Sequence, residues 1–348
     1  MSKYLELVEG SFNESHFNKQ TSQNPYVAYS IGDDEVIYSI IGSNEPNIDL
    51  TSPYIMFKAQ EDNSTIGLEK LNSHQSMEYS TNTVTWNTFD TTTNISLNNG
   101  DKVYVRGILS FADDNVNNYT QFKMSGKIAA YGNCNALWNY EDLNTPLKTY
   151  CGNRLFFNCS ALTTAPVLPA TTLAKGCYTD MFVGCTSLTV APVLPATTLV
   201  PYCYDSMFYN CSSLTTAPEL PATTLAENCY LKMFYNCTSL TVAPVLPATT
   251  LAKNCYTDMF NSCTSLTTVP ELPAAELTSH CYYRMFQGCT SLNYIKCLAT
   301  NINDMVNTNF WVENVSSTGT FVKHPDMNRW TTGIHGIPSG WDVENAVL

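Results

Sequence analysis

Cysteine is the residue type whose number and spacing could most readily do chemistry in this chain. Fourteen cysteines could form a disulfide framework, hold zinc, or supply a thiolate nucleophile. Their spacing argues against all three. One set falls at Cys159, Cys185, Cys211, Cys237, Cys263 and Cys289, and a second at Cys151, Cys177, Cys203, Cys229, Cys255 and Cys281; within each set every step is 26 residues. Like cysteines on successive turns of a stacked chain would lie about 4.7–4.9 Å apart in parallel ladders, pointing the same way. A disulfide needs facing Cβ atoms, and a zinc site needs ligands clustered at short spacing. Reduced, buried thiols serving as small core residues are therefore expected.

Other chemistry is hard to find. The histidines, His16, His74, His280, His324 and His335, are scattered. There is no phosphate-cradling Gly-x-x-x-x-Gly-Lys, no His-Glu-x-x-His and no Gly-x-Ser-x-Gly elbow. Asp113-Asp114, Glu141-Asp142 and Asp33-Asp34-Glu35 read as solvated loops and turns, although the last group could bind a cation. The sequence reads as non-enzymatic, with no cofactor.

The element that must position these residues is the repeat itself. Five full copies run 159–184, 185–210, 211–236, 237–262 and 263–288, and a sixth opens at Cys289 before decaying at Lys296-Cys297. Fixed-period self-similarity points to one stacked coil per repeat. Leu188, Leu194, Leu199, Met207 and Phe208 recur in every copy and should form apolar columns. Pro192 and Pro195 lack a ladder donor, so extended pieces should be short, at Ser187–Ala191 and Thr197–Leu199. Tyr204, Met207 and Phe208 at i, i+3 and i+4 predict a short helical turn over Cys203–Tyr209, with the Tyr204 hydroxyl at the surface.

The fold class expected is mainly β: an N-terminal β-sandwich-like module, then a leucine-rich-repeat solenoid of 26-residue repeats and a C-terminal cap. Residues 1–58 form a lead or attachment segment, with a hairpin at Tyr26–Ile31 and Val36–Ile41 around Gly32-Asp33-Asp34. Residues 59–130 form the sandwich-like domain. Its expected strands are Ser64–Leu68, Met77–Ser80, Thr83–Trp86, Asn94–Leu97, Lys102–Leu109 and Gln121–Met124, and Trp86 reads as a core or inter-sheet residue rather than a ligand platform. Residues 131–297 are the solenoid, with an N-cap at 131–158, where Asn133-Cys134-Asn135-Ala136-Leu137 copies the repeat opening, and full repeats at 159–288. Residues 298–348 are the cap, with a strand at Gly319–Lys323, a turn at Gly336–Gly340 and anchors Trp311, Trp330 and Trp341.

Net charge is −13 and falls unevenly, −9 over residues 1–150, −1 over 151–297 and −3 over 298–348. With no basic stripe, nucleic acid is not an expected partner. No run of about 18 apolar residues occurs, so membrane insertion is not expected. Residues 1–9 lack an apolar signal region, which suits a chain reaching its place of work outside the secretory route or one whose export signal lies upstream.

The segment Met233-Phe234-Tyr235-Asn236-Cys237-Thr238-Ser239-Leu240, followed by Ala243-Pro244 and Leu246-Pro247, resembles the BspA-like (Treponema pallidum-type) leucine-rich repeat family over residues 131–300. The family period is nearer 23, so this version carries a longer linking segment. What the resemblance implies is surface-exposed adhesion, without catalytic residues. The flanks Asn24–Ser30 and Val36–Tyr38 resemble lead segments of tail-fibre-type proteins encoded by phages of gut Bacteroidales, and the closing segment with Gly319–Phe321 and Gly336–Trp341 resembles a tail common on Bacteroides repeat proteins.

The function expected is non-enzymatic recognition: a phage virion tail-fibre or receptor-binding component that binds a host-surface glycan or protein. Residues 1–58 would meet other virion tail proteins, and a fibre would assemble as a homotrimer. The alternative is a bacterial cell-surface adhesin. Both are extracellular. Positions that vary between repeats are not needed for stacking on this reading, so they can serve a partner. They include the column Thr164, Val190, Thr216, Val242, Thr268 and the column Val167, Val193, Glu219, Val245, Glu271. The candidate binding surface is Tyr202, Tyr209, Asn210, Glu219, Lys232, Tyr235, Asn236, Glu271, Tyr283 and Arg284.

Overall fold

A computed structural model describes residues 26–31, 35–40, 49–111, 115–302 and 305–347. The described chain is mainly β, with two short 3-10 turns and no α-helix among the described residues. It divides into two units, residues 1–47 and 48–348. In the first, β1 (Tyr26–Ile31) pairs antiparallel with β2 (Glu35–Ile40), Tyr26 opposite Ile40 and Ile31 opposite Glu35, as the hairpin pattern predicts. The turn residues Gly32, Asp33 and Asp34 lie outside the described residues, as do Asp113 and Asp114.

The second unit opens with two sheets. The larger has the order β11-β10-β3-β8-β5-β6 and the smaller β7-β4-β9. Their strands are β3 (Ile55–Ala59), β4 (Ser64–Lys70), β5 (Gln75–Ser80), β6 (Asn87–Thr88), β7 (Asn94–Leu97), β8 (Lys102–Leu109), β9 (Gln121–Ser125), β10 (Ile128–Tyr131) and β11 (Leu162–Thr164). Strand β8 shows why. Val103, Val105 and Leu109 are buried while Tyr104, Arg106 and Ile108 are half-buried, the period-2 alternation of a sheet with one covered face. The turn before it closes through Asp101 N–H to the Asn98 carbonyl at 2.9 Å, with Gly100 at φ +88°. Phe57 of β3 meets Phe122 of β9 at 5.0 Å, joining the cores of the two sheets.

One expected strand is corrected here, and two strands are added. Thr83–Trp86 is not a strand: Thr83 has φ +62°, and Asn82 Oδ1 accepts from the N–H groups of Val84 and Thr85, both at 2.9 Å, so a side chain replaces ladder partners. Strands β3 and β10 had no clear sequence signal because both are buried along their length, and the alternation that reveals a half-buried strand is missing. Strand β3 runs through position 58/59. Strand β10 spans position 130/131 and pairs in parallel with β11 inside the first repeat.

From there the 26-residue step is visible in contacts. Isolated parallel bridges join Val190 to Thr216, Thr216 to Val242, Val242 to Thr268 and Thr268 to Tyr294. Phe182, Phe208, Phe234 and Phe260 stack with centroids 5.6–5.7 Å apart and planes within 7°. Phe122 of β9 and Phe156 precede them in the same row, 5.2 Å apart, so the sheets and the repeats share one core. Tyr178, Tyr204, Tyr230, Tyr256 and Tyr282 form a second row. Trp311 stands against the last member of each row, at 6.1 Å from Tyr282 and 6.0 Å from Phe286. Beyond it, β12 (Tyr294–Cys297), β13 (Thr320–Lys323) and β14 (Asp342–Asn345) form a parallel sheet.

Cys203–Tyr209 is not helical. Amides of Cys203, Asp205, Met207 and Tyr209 bond the carbonyl three residues back, while those of Tyr204, Ser206 and Phe208 bond Cys229, Leu231 and Met233 on the next coil. An α-helix would require every one of them to reach four residues back. The result is a chain of tight turns. Tyr204 is fully buried, hydroxyl included in the core side of the coil, contrary to the surface hydroxyl expected from its amphipathic chemistry. All fourteen cysteines are free and buried.

Candidate functional site

Each tight-turn segment from residue 150 to 288 places three residues in the left-handed region, and the segment ending at Asn314 places two. Their columns are Tyr150, Gly176, Tyr202, Asn228, Asn254, His280; Arg154, Asp180, Ser206, Lys232, Asp258, Arg284, Phe310; and Asn158, Gly184, Asn210, Asn236, Ser262, Gly288, Asn314. A non-glycine residue at positive φ is uncommon, with Asn and Asp the best tolerated. This is why Asn and Gly fill every position of the third column except Ser262. Tyr202, Asn210, Lys232, Asn236 and Arg284 of the candidate surface all have this backbone conformation, so varying between repeats did not make these columns free of structural duty.

The structure brings four of the candidates together. Tyr209 and Tyr235 stack at 4.7 Å with planes 8° apart, both half-buried. Asn236 Nδ2 donates to Asn210 Oδ1 at 2.6 Å. The tyrosine faces are turned on each other, so a partner meets the edges of the pair. Tyr283 and Arg284 form a separate cluster: the guanidinium lies 4.8 Å from the Tyr283 ring, which His280 meets edge-on at 5.5 Å. Glu219 and Glu271 are exposed and lie on a different segment of the coil, where Glu271 pairs with Lys296. Tyr202 stands apart, its carbonyl accepting from Thr179 Oγ1 at 2.8 Å.

Lys232 belongs to a run of charge. Arg154 Nε donates to Asp180 Oδ2 at 3.0 Å across one repeat step, and Lys232, Asp258 and Arg284 continue the column in alternating sign. At the uncharged rung, Ser206, the neighbouring Asp205 takes over and accepts from Ser206 Oγ at 2.8 Å. Burial pushes the Asp205 carboxyl up to about 7; the Ser206 hydrogen bond opposes this and the charge of Asp180 adds to it. Asp258 is raised by burial as well, against the pull of its hydrogen bond from Asn261 and of Lys232 and Arg284.

One cluster escaped the sequence reading. Trp86 is half-buried at the surface rather than a core residue. Its ring lies 3.9 Å from the Arg106 guanidinium carbon, which also lies 4.1 Å from the Tyr140 ring. Arg106 Nε and Nη2 both reach Glu78 Oε2 at 2.7 Å. Tyr54 adjoins Trp86 at 6.0 Å and Tyr104 at 5.1 Å. The only available signal was the outward register of Tyr104 and Arg106 on β8, which says nothing of the loop that crosses them.

Comparison with family models, with curated proteins and with solved structures gives no match.

Proposed function

We propose that residues 131–297 are a BspA-like leucine-rich solenoid, joined to a β-sandwich-like module at 59–130 and closed by residues 298–348, in a non-enzymatic recognition protein. On this reading the protein is a phage virion tail-fibre or receptor-binding component that binds a host-surface glycan or protein. Residues 1–58 contact other tail proteins. The observation that supports it best is the division of labour within each coil. Leu, Met, Phe, Tyr and Cys rows are buried along the stack, while Tyr209, Tyr235, Asn210 and Asn236 emerge in register on one segment. A stacked pair of tyrosines flanked by amides suits partners that offer both apolar groups and hydrogen-bonding groups.

The test is binding of the full chain to arrays of glycans and host-surface proteins, repeated with Tyr209→Ala/Tyr235→Ala. Loss of the captured partner in the double variant supports the reading, and retention refutes it for this surface. A mass measurement showing a stable homotrimer fits a fibre; a monomer counts against it. Tail genes beside the coding region fit a virion protein, whereas an export signal ahead of residue 1 would place it on a bacterial surface.

A further inference from the structure

We propose that Tyr54, Trp86 and Tyr104, with Glu78 and Arg106, form a second recognition site on the outer face of the six-stranded sheet, and that it takes a neutral pyranose unit of an oligosaccharide.

The rings are held in place before any ligand arrives. Glu78 and Arg106 are directly opposite in the β5–β8 register, so the ion pair is set by the ladder. Tyr104 lies two residues before Arg106 on the same face of β8. Trp86 comes from the loop after β5, and that loop is tied down by its own polar groups. Ser80 Oγ accepts from Thr83 N–H at 2.9 Å, and Asn82 Oδ1 accepts from Val84 and Thr85 N–H. Tyr140 is brought to Arg106 by its amide, which bonds the Gly107 carbonyl at 3.2 Å and anchors that segment across β8. Arg106 is therefore gripped between two rings and a carboxylate. Its role here is to position Trp86.

The geometry also selects the ligand. The Tyr54 ring is tilted 38° to Trp86 and 73° to Tyr104, so the three rings make a corner rather than a flat apolar patch. Such a corner accepts the C–H face of a sugar ring on one wall and its edge on another. Ligand sites of this kind join aromatic walls to a small number of placed polar groups. Glu78 supplies the polar group: Oε2 is taken by Arg106, and Oε1 accepts no hydrogen bond from a described residue, on a side chain 38% exposed. A carboxylate oxygen beside an aromatic wall can accept from a sugar hydroxyl. Arg106 already neutralises Glu78 and covers one face of Trp86, which weakens the pull on a cationic ligand. An anionic ligand is disfavoured by the net charge of −4 on residues 48–150, 7 basic against 11 acidic side chains.

The site is independent of Tyr209 and Tyr235, so its test can succeed or fail apart from that surface. The full chain is titrated with neutral cello-, malto-, manno-, xylo- and chito-oligosaccharides, followed by tryptophan fluorescence, and screened on a printed array of neutral glycans. At least one should bind and change the emission. Trp86→Ala should weaken that binding by about tenfold or more, Trp86→Phe by less, and Glu78→Gln by several-fold. Tyr209→Ala/Tyr235→Ala should leave it unchanged. If Trp86→Ala fails to fold by circular dichroism, Tyr54→Ala takes its place with the same expectation. Binding of no neutral glycan overturns the proposal, as does undiminished binding in a folded Trp86→Ala or Tyr54→Ala protein. Selective binding of charged glycans in place of neutral ones overturns the choice of ligand.

Discussion

Cys237 Sγ donates to the carbonyl oxygen of Phe208, 3.1 Å away on the preceding coil. The same bond recurs from Cys185 to Phe156, Cys211 to Phe182, Cys263 to Phe234 and Cys289 to Phe260, at 3.0–3.1 Å. A thiol in this position fills the space between two coils and gives its proton to a backbone acceptor. It neither faces another thiol nor meets solvent.

The thiols should therefore be inert in the folded protein. Burial pushes Cys211 and Cys289 from an ordinary 9.0 up to about 12, and Cys151 and Cys229 likewise. A thiol-reactive chromophore at pH 8 should label none of the fourteen cysteines in the native chain and all of them in guanidinium. Rapid labelling of several cysteines without denaturant would contradict the buried ladders. The folded state also holds these protons more tightly than the unfolded one. Stability is then fully present below the unfolded thiol value of 9.0 and should fall steadily as pH rises from there toward about 12. Urea midpoints at pH 7, 9 and 10 check the slope.

Asp205 gives a second pH dependence in a lower window. Its folded value is about 7 against an ordinary 3.8, so the protonated form is favoured by folding. Its contribution is present below about 4 and is lost as pH rises through about 7. Asp205→Asn, which keeps an acceptor for Ser206 Oγ, should raise the denaturation midpoint at pH 8, have little effect at pH 4, and flatten the profile between them. A variant less stable than the parent at pH 8 would show that the attraction of Lys232 outweighs burial.

Asn210 tests backbone strain. Gly184 and Gly288 occupy its column, and Asn210 has φ +60°. Both Asn210→Gly and Asn210→Val lose the bond from Asn236, so the difference between them isolates the backbone. Thermal denaturation should find the valine variant less stable than the glycine variant by about 1–2 kcal/mol, because a β-branched side chain is poorly accommodated at positive φ. Equal stabilities would remove the strain argument for all three columns.

The stack should also tolerate the loss of one whole coil. Deleting 237–262 joins Asn236 to Cys263 and leaves each phenylalanine beneath another in the same row. The shortened chain should fold and unfold cooperatively, at a somewhat lower temperature than the parent. Deleting 237–249 puts Thr250 where Cys263 would stand and should give no cooperative transition by circular dichroism. Phe234→Ala, which empties a ring site between Phe208 and Phe260, should cost about 3–5 kcal/mol.

The sequence by itself determined whatever depends on equal spacing. Identical residues at an unbroken step have to stack in rows, which is why the cysteine, leucine and phenylalanine columns could be read directly. Strands β7 and β8 were legible with their residue bounds, since alternation and the Asn98–Asp101 turn are local signals. The tertiary structure decided whatever depends on a neighbour. In Cys203–Tyr209, alternate amides bond to the next coil, so the turn conformation exists only when that coil is in place; the i, i+3, i+4 pattern alone reads as helix. Tyr204 is buried because rings stack above and below it. Glu78 and Arg106 lie 28 residues apart, and only the β5–β8 register brings them together beneath Trp86. A contact fixed by strand register and a loop crossing has no periodicity along the chain, and the repeat of 26 does not reach it.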